Sequence, residues 1–296
     1  MVDWAHLTTG AAIGNHQSAI IEEYLMSKTP IWGRYVELRP TELAAIRSEV
    51  PAVYMPWGAL EWHGPHLPLG MDGIVAEAVT DRAIRRTGGV LMPTTWSPAG
   101  TLPHPDSLSA AGTSLSTLLN NIFAQLASAG WRVAVLVSGH SGHVHELIMI
   151  AAAERAITRH GLLALAVPPL ALVDEAMLDH AGIWETSLAL ALCPDLVNLD
   201  ALGSEPLQIK TSAVIGRDPR NTASASLGLS ALNLAADRLA SAVIQLLASH
   251  DPAPLHALYS QRRSRCQSFV EHFGPNMDQA TLAWWENLTQ EKQADG

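Results

Sequence analysis

The apolar positions of the chain fall into short, nearly continuous runs that alternate with longer segments of helical periodicity. Short runs rich in β-branched residues are typical of strands that are buried on both faces of a parallel sheet. The runs predict strands at residues 51–57, 89–94, 132–138, 162–168 and 212–216, and the periodic segments predict helices at residues 72–86, 114–128, 144–159 and 222–249. This alternation predicts an α/β fold of three layers, α/β/α, around a mostly parallel central sheet.

Composition narrows the class of protein. The 296 residues carry a formal net charge of -10 with only 18 Lys and Arg, which argues against a nucleic-acid partner. No uninterrupted apolar run approaches about 18 residues, and the Met1 end lacks a charged segment followed by an apolar one, so we expect no membrane attachment and a cytoplasmic protein. The two cysteines, Cys193 and Cys266, exclude a disulfide framework.

The segment that follows the first predicted strand concentrates metal-ligating residue types. Residues 56–72 read Pro-Trp-Gly-Ala-Leu-Glu-Trp-His-Gly-Pro-His-Leu-Pro-Leu-Gly-Met-Asp. Glu61 and His63 are two residues apart and point the same way in extended backbone, and Asp72 arrives after a turn rich in Pro and Gly. Carboxylate and imidazole suit Zn, Mn or Fe(II). The alternative is a polar loop with solvated histidines.

A second segment has the same position relative to a strand. The predicted strand at residues 132–138 runs into Ser138-Gly139-His140-Ser141-Gly142-His143, and a helical pattern follows. Ligands of open α/β sheets gather beyond the carboxyl ends of the strands, where His140 is expected. Two strand ends can therefore converge on one ion. The segment also nearly copies the Gly-x-Ser-x-Gly elbow of serine hydrolases, with His143 in place of the last glycine, so a nucleophilic Ser141 is a second hypothesis.

These segments resemble the creatininase (creatinine amidohydrolase) family of metal-dependent hydrolases. The resemblance spans roughly residues 36–245 and rests on residues 58–72, 138–143 and 180–187, the last reading His-Ala-Gly-Ile-Trp-Glu-Thr-Ser. It implies a creatininase-like fold and a pair of divalent ions, Zn, Mn or Fe, whose ligands correspond here to Glu61, His63, a bridging Asp72 and His140. It also implies a small-molecule substrate and a homo-oligomer, commonly a hexamer.

The resemblance sets the expected organisation of the chain. Residues 1–35 are expected to be an N-terminal extension, residues 36–250 the hydrolase domain and residues 251–296 a C-terminal helical extension. A helical piece is expected at residues 18–26. The tail pairs Trp284 with Trp285, which suits either an interface or burial against the parent domain.

The third segment is where the resemblance places proton chemistry. His180 resembles the proton-transfer histidine of the family, which implies that it donates a proton to the departing nitrogen; an isolated turn histidine is the alternative. Glu185 begins an apolar helical stretch, where a negative side chain is favoured by the free amide groups. It can also act beside a ligating histidine, or as a ligand itself. As a ligand, Glu185 would replace the further carboxylate that creatininase carries at the position of Gly142.

The expected function is therefore a metal-dependent hydrolase that cleaves a C–N amide-type bond of a small, possibly cyclic, substrate through a hydroxide bridging two divalent metals. Gly142 argues against creatinine as the substrate. Two alternatives stay open. One is hydrolysis of a keto-cyclitol or lactone on the same site; the other is a non-catalytic protein that binds metal or a small molecule.

Overall fold

A five-stranded parallel sheet forms the centre of the molecule. The computed structural model describes residues 31–274 and 277–294. The strands of the sheet lie in the order β1-β3-β2-β4-β5. Their bounds are β1 Trp32–Arg34, β2 Ala52–Trp57, β3 Gly89–Leu91, β4 Val133–Ser138 and β5 Leu163–Val167. Every residue of β2, β3, β4 and β5 is buried, which confirms the expectation of a sheet covered on both faces.

Helices cover both faces of the sheet and complete the three layers. They are α1 Pro40–Glu49, α2 Met71–Thr87, α3 Gly112–Ser128, α4 His143–His160, α5 Ile183–Leu192, α6 Ile209–Ser212, α7 Ala225–Ser249, α8 Ala253–Phe273 and α9 Met277–Ala294. Helices α2, α5 and α7 pack together, and α3 packs with α4. The strand order reverses at β2, so right-handed crossovers place α2 and α3 on opposite faces. The predicted fold class is confirmed.

One predicted strand is wrong. Residues 209–212 form the short helix α6, and Ile215 then makes only an isolated antiparallel bridge with His180. The backbone explains this, because Ala213 has φ 59 and Gly216 has φ 141, which a regular strand cannot accommodate. The predicted strand at residues 89–94 is shorter than expected and ends at Leu91, just before Pro93, which has no N–H to donate.

Both ends of the described chain join the fold. Strand β1 pairs with β3 at the sheet edge, although its residues fall in the segment expected to be an extension. At the other end, α8 packs on α4 and β5, and the Tyr259 hydroxyl binds the backbone of β5 at Ala164 and Ala166. Trp284 and Trp285 are half-buried against the core, so burial explains this pair better than exposure. The helix expected at residues 18–26 lies outside the described residues, and the three-segment organisation stays a prediction.

Helix α7 is long and apolar enough, by length and composition, to cross a membrane. However, 56% of its most apolar window is buried inside the fold, where it packs against α2 and α5. That is the environment of a core helix.

Candidate metal centre

The predicted ligands meet at the carboxyl ends of β2 and β4, the neighbouring strands at which the chain reverses direction across the sheet. This is the place where open α/β sheets bind ligands. Close backbone contact makes the meeting possible: a Cβ on Gly139, just after β4, would lie 2.0 Å from the carbonyl oxygen of Asp72 in α2. Glycine at this position therefore allows the start of α2, and with it Asp72, to approach the ends of both strands.

Asp72 lies between two groups of side chains. Its Oδ1 is 3.2 Å from Nε2 of His63, and its Oδ2 is 3.6 Å from Nδ1 of His140. On the first side, Glu185 Oε2 lies 3.4 Å from the same His63 nitrogen. On the second side, Glu61 Oε2 lies 2.8 Å from the same His140 nitrogen. The carboxylate of Asp72 is thus shared by two carboxylate–imidazole groups.

Backbone contacts orient both imidazoles. Nδ1 of His63 lies 2.9 Å from the carbonyl oxygen of Glu61, to which it donates, and this leaves Nε2 facing Asp72. Nε2 of His140 lies 3.3 Å from the carbonyl oxygen of Ala99, which leaves Nδ1 facing Glu61 and Asp72. Contacts of this kind fix the tautomer of a metal-ligating histidine.

The two outer carboxylates are also held by the backbone. Glu61 Oε1 accepts a hydrogen bond of 2.6 Å from the amide of Leu102, in the loop that follows β3. Glu185 Oε2 accepts one of 2.7 Å from the amide of Ala181, just before α5. Glu185 therefore satisfies a free amide at the helix start, as one reading of the sequence expected, and the same oxygen also faces His63.

The electrostatics indicate a cluster that needs positive charge. Burial raises the pKa of Glu185 to about 8, with the Asp72 and Asp179 carboxylates adding to the shift and His63 opposing it. Burial alone would lower the pKa of His63, but Asp72 and Glu185 outweigh it and raise that pKa to about 10. Similarly, Glu61 and Asp72 outweigh burial at His140 and raise its pKa to about 9. The carboxylates thus stabilise any cation placed among them.

The donor atoms fit divalent metal ions. Glu61 Oε2, His63 Nε2 and Asp72 Oδ2 are buried and have no hydrogen bond of good geometry within the described residues. Buried polar atoms are rarely left without partners, so these three are suited to bind a cation. The ligand atoms of Glu61, Asp72 and His140 lie within 4.8 Å of one another, and so do those of His63, Asp72 and Glu185. Carboxylate and imidazole donors suit Zn or Mn.

Gly142 cannot be replaced by a carboxylate in this geometry. A Cβ at Gly142 would lie 2.7 Å from Nε2 of His140 and 3.2 Å from the carbonyl oxygen of Gly100. A larger residue would therefore displace the histidine. Glu185 reaches the cluster from another element and supplies a carboxylate on the side of His63.

His180 lies against the cluster. Its ring stacks on His63 with centroids 4.2 Å apart, and its Nε2 lies 3.0 Å from the carbonyl oxygen of Trp62, to which it donates. Nδ1 therefore carries the lone pair. Burial, followed by the positive charge of His63, lowers the pKa of His180 to about 4. The side chain is thus neutral near pH 7.

Asp179 is a site residue that the sequence reasoning missed. Its carboxylate accepts hydrogen bonds from the amides of Trp184 (2.8 Å) and Glu185 (3.2 Å) and so anchors the start of α5. A Cβ on Gly182 would lie 2.4 Å from Asp179 Oδ2, which explains the glycine between them. An Asp a few residues before a predicted helix start was the available signal.

Other histidines near the centre have structural contacts. His66 is buried, and its Nε2 lies 3.1 Å from the carbonyl oxygen of Ala181, so it supports the turn that carries His180. His104 stacks on Trp62 with centroids 4.2 Å apart. His143 begins α4 and also stacks on Phe269.

Ser141 does not have the environment of an activated nucleophile. Its hydroxyl makes no hydrogen bond to a residue in the described ranges, and both nitrogens of the preceding His140 face Glu61, Asp72 and Ala99. The serine-hydrolase hypothesis therefore loses its general base.

A cavity of about 160 Å³ opens over the cluster. Its floor contains Glu61, Asp72, His140 and Glu185, with His180 beside them. Its walls come from the loops after β3 and β4, from the turn before α5, and from the C-terminal helices α8 and α9. The ligand cluster is thus accessible to a small molecule.

A parallel α/β sheet whose strand ends hold a buried cluster of carboxylates and imidazoles defines an α/β protein with a candidate site for divalent metal ions. A family model described as "Creatininase: Creatinine amidohydrolase" matches residues 36–243, and the chain belongs to this family. Over 177 residues it is 31% identical to a creatinine amidohydrolase of Pseudomonas putida, covering 51% of this chain and 68% of the relative. Over 164 residues it is 32% identical to a mycofactocin precursor peptide peptidase of Mycolicibacterium smegmatis, covering 53% of this chain and 64% of the relative.

Solved structures agree with this assignment. A crystal structure of creatinine amidohydrolase superposes with a TM-score of 0.65 at 24% identity, covering 75% of this chain and 99% of that one, which shows the fold. A structure titled "Creatininase Mn" and a mutant creatininase of the Zn-Zn type each give a TM-score of 0.63 at 25% identity, covering 73% of this chain and 98% of theirs. The chain is a metal-dependent hydrolase that acts on C–N bonds other than ordinary peptide bonds.

Proposed function

We propose that the chain hydrolyses an amide-type bond of a small substrate at a site for two divalent ions bridged by Asp72. The observation that carries the proposal is the position of Asp72, whose two oxygens face two separate groups. Glu61 and His140 would hold one ion with Asp72, and His63 and Glu185 would hold the other. When bound, the ions would lower the pKa of a coordinated water and polarise the substrate carbonyl.

The protein's own groups have distinct tasks in this reaction. The backbone amides of Leu102 and Ala181 hold Glu61 and Glu185 in place, so the cluster is preorganised. We propose His180 as the group that moves the proton. Because its pKa is lowered to about 4, it begins neutral, accepts the proton of the attacking water at Nδ1 and then delivers it to the departing nitrogen.

The substrate class follows from the relatives and the cavity. The relatives are named for hydrolysis of creatinine and of a mycofactocin precursor peptide, so amide-type bonds are their common feature. Gly142 separates this chain from creatininase, where the resemblance expects a carboxylate, and we therefore propose a substrate other than creatinine. Lactones and keto-cyclitols belong in the same screen, because the same nucleophile attacks their carbonyl groups. Zn and Mn are the ions to supply first.

Metal content tests the proposal directly. Inductively coupled plasma mass spectrometry of untagged protein should give close to two ions per chain, and Asp72→Ala should lose both. Asp81→Ala is the matched control, since Asp81 lies on the same helix and pairs with Arg34 and Arg85 at the surface. Two ions that survive Asp72→Ala would refute the bridging role. Metal-loaded protein without turnover of cyclic amides, formamides, short peptides, lactones or keto-cyclitols would favour the non-catalytic alternative.

We also propose that the chain forms a homo-oligomer. Large apolar side chains are exposed near the site, among them Leu69 (42%) and Trp96 (41%). Trp96 also lies close to Gly70, the neighbour of Leu69, so the two exposed side chains lie in the same region of the surface. Light scattering coupled to size-exclusion chromatography should give a mass several times that of the chain, and a monomer would refute this proposal.

A further inference from the structure

The outer wall of the cavity is built by the C-terminal helices. Residues Arg265 and Phe269 of α8 and Thr281 and Trp284 of α9 line the same cavity as the ligand cluster. All four lie beyond residues 36–243, the part of the chain that the family model matches. This wall therefore belongs to the features that distinguish this chain from the common family core, and such features set substrate choice.

The wall combines an aromatic surface with one cation. Phe269 stacks on His143 with centroids 4.8 Å apart and planes within 6°, and Trp284 lies edge-on to Phe269 at 6.5 Å. Arg265 is the only lysine or arginine among the described residues that line the cavity. A cavity of this size holds a molecule about as large as benzene. The shape thus suits a small ring with the aromatic side chains against one side.

The guanidinium of Arg265 is only partly used by the protein. Its Nε lies 3.0 Å from Oε2 of Glu175, and its Nη1 lies 3.6 Å from Oε2 of Glu146. Its Nη2 makes no hydrogen bond or ion pair with any residue in the described part of the chain, and the side chain is 31% exposed. One edge of the guanidinium is therefore available to a ligand.

The charges around Arg265 balance, so this group does not repel an anion. Arg262 is buried and binds both Glu146 and Glu175, so the two arginines offset the two glutamates. An incoming carboxylate would therefore meet a neutral cluster with an exposed cationic edge, and a guanidinium binds carboxylates with a charge-assisted hydrogen bond.

We propose that Arg265 is a specificity-determining residue that binds a carboxylate at the end of the substrate remote from the scissile bond. The substrate class is then a small, ring-sized amide that carries a carboxylate. This inference rests on the proposed function, since it names the substrate of the same site. The cluster at the cavity floor takes the amide, the aromatic wall takes the ring, and Arg265 takes the anionic group.

A pair of ligands that differ only in charge tests the proposal. L-pyroglutamate is a five-membered cyclic amide with a carboxylate, and L-pyroglutamamide is its neutral counterpart. Dissociation constants are measured by ligand-observed NMR titration of the full chain, both metal-loaded and after chelation. We expect pyroglutamate to bind roughly ten- to a hundredfold more tightly, which is the range of a charge-assisted hydrogen bond.

Variants on one helix separate recognition from structure. Arg265→Gln should abolish the preference for the carboxylate in both states, and Arg265→Lys should keep part of it. Arg263→Gln is the matched control, because Arg263 lies on the same helix, pairs with Glu154 and does not line the cavity. Glu175 stays bound to Arg262 in Arg265→Gln, so the fold should hold, which an unchanged melting temperature would verify.

Three outcomes would overturn the proposal. The first is a wild-type chain that binds pyroglutamate and pyroglutamamide equally well. The second is a preference for pyroglutamate that is unchanged in Arg265→Gln. The third is a preference that the wild type loses after chelation, which would place the carboxylate on the metal ions. The wild-type measurement is decisive even if a variant fails to fold. If the chain prefers pyroglutamate but hydrolyses none of the substrates tested, the proposed function is refuted and the role of Arg265 in binding a carboxylate stands. If it hydrolyses neutral amides and shows no preference for pyroglutamate, the proposed function stands and the role of Arg265 is refuted.

Discussion

Replacing Glu185 by glutamine should change stability in opposite directions with and without metal. Glutamine keeps the shape of the side chain and an oxygen that accepts the amide hydrogen of Ala181, but it removes the charge that faces His63. If Glu185 is a ligand, the variant should lose one of two ions. If it serves only the start of α5, metal content should stay unchanged.

The size of the effect without metal follows from the raised pKa. The pKa of Glu185 is raised from its ordinary value of 4.5 to about 8, so between these values the folded chain binds more protons than the unfolded one. Stability from this group is therefore lost as pH rises from about 4.5 to 8. At pH 7 the shift amounts to at most about 3 kcal/mol, since one pKa unit corresponds to about 1.4 kcal/mol. Glutamine removes this cost.

Thermal unfolding at several pH values, with chelator and with saturating metal, measures the change in stability under both conditions. In chelator at pH 7, Glu185→Gln should raise the melting temperature by up to roughly 10 °C, with a much smaller difference at pH 5. With saturating Zn or Mn, the variant should melt below the wild type because it binds fewer ions. Glu205→Gln applies the same change to an exposed side chain and should shift neither value. A chelated variant that melts below the wild type at pH 7 would refute the reasoning, since it would make the carboxylate a net stabiliser of the helix start.

Three further predictions concern the framework of the site. Gly139→Ala would place a Cβ 2.0 Å from the carbonyl oxygen of Asp72, so it should lower the free energy of unfolding by about 3 kcal/mol or more and reduce metal content. The control, Gly70→Ala, meets only ordinary contacts and should be tolerated. Denaturant unfolding and metal analysis compare the two variants. Arg262→Ala removes the partner of the buried Glu146 carboxylate and should destabilise the chain by about 3–5 kcal/mol in urea unfolding. Arg263→Ala removes a pair at the surface and should cost less than about 1 kcal/mol. Equal costs would contradict the importance of the buried pair. Chelation should lower the melting temperature of the wild type, and added Zn or Mn should restore it, because an ion that binds only the folded chain stabilises that state. A melting temperature that does not respond to chelation would contradict a metal site.

The strands and the residue types of the site could be predicted from the sequence because both depend on local patterns. The apolar runs at residues 52–57, 133–138 and 163–167 form strands because nearly continuous apolar segments of this length are typical of a parallel sheet that is covered on both faces. Glu61, His63, Asp72 and His140 were predicted as ligands from their residue types beyond two strand ends, which meet at one edge of a parallel sheet, and from the resemblance to the creatininase family. Those predictions depend on short-range pattern and on a rule that holds for all sheets of this kind.

Contacts between distant segments had to come from the tertiary structure. Residues 212–216 carry an apolar run typical of a strand, but the positive φ values of Ala213 and Gly216 turn the chain away from the sheet. Likewise, the sequence left open whether Glu185 stabilises the start of a helix or joins the cluster of candidate metal ligands. Its carboxylate contacts Ala181 and faces His63, and only the packing of α5 beside α2 brings it there.

The sequence by itself determined the fold class and the chemical type of the cluster, because strand periodicity and ligand residue types are local properties. Only the tertiary structure decided that the buried carboxylate of Glu146 pairs with Arg262 and that Arg265 reaches the cavity from a helix more than a hundred residues beyond His140. Neither contact has a local signature in the sequence. A buried carboxylate or a cation acquires its partners only when packing brings separate elements together, and pairings over such distances leave no periodic trace in the chain.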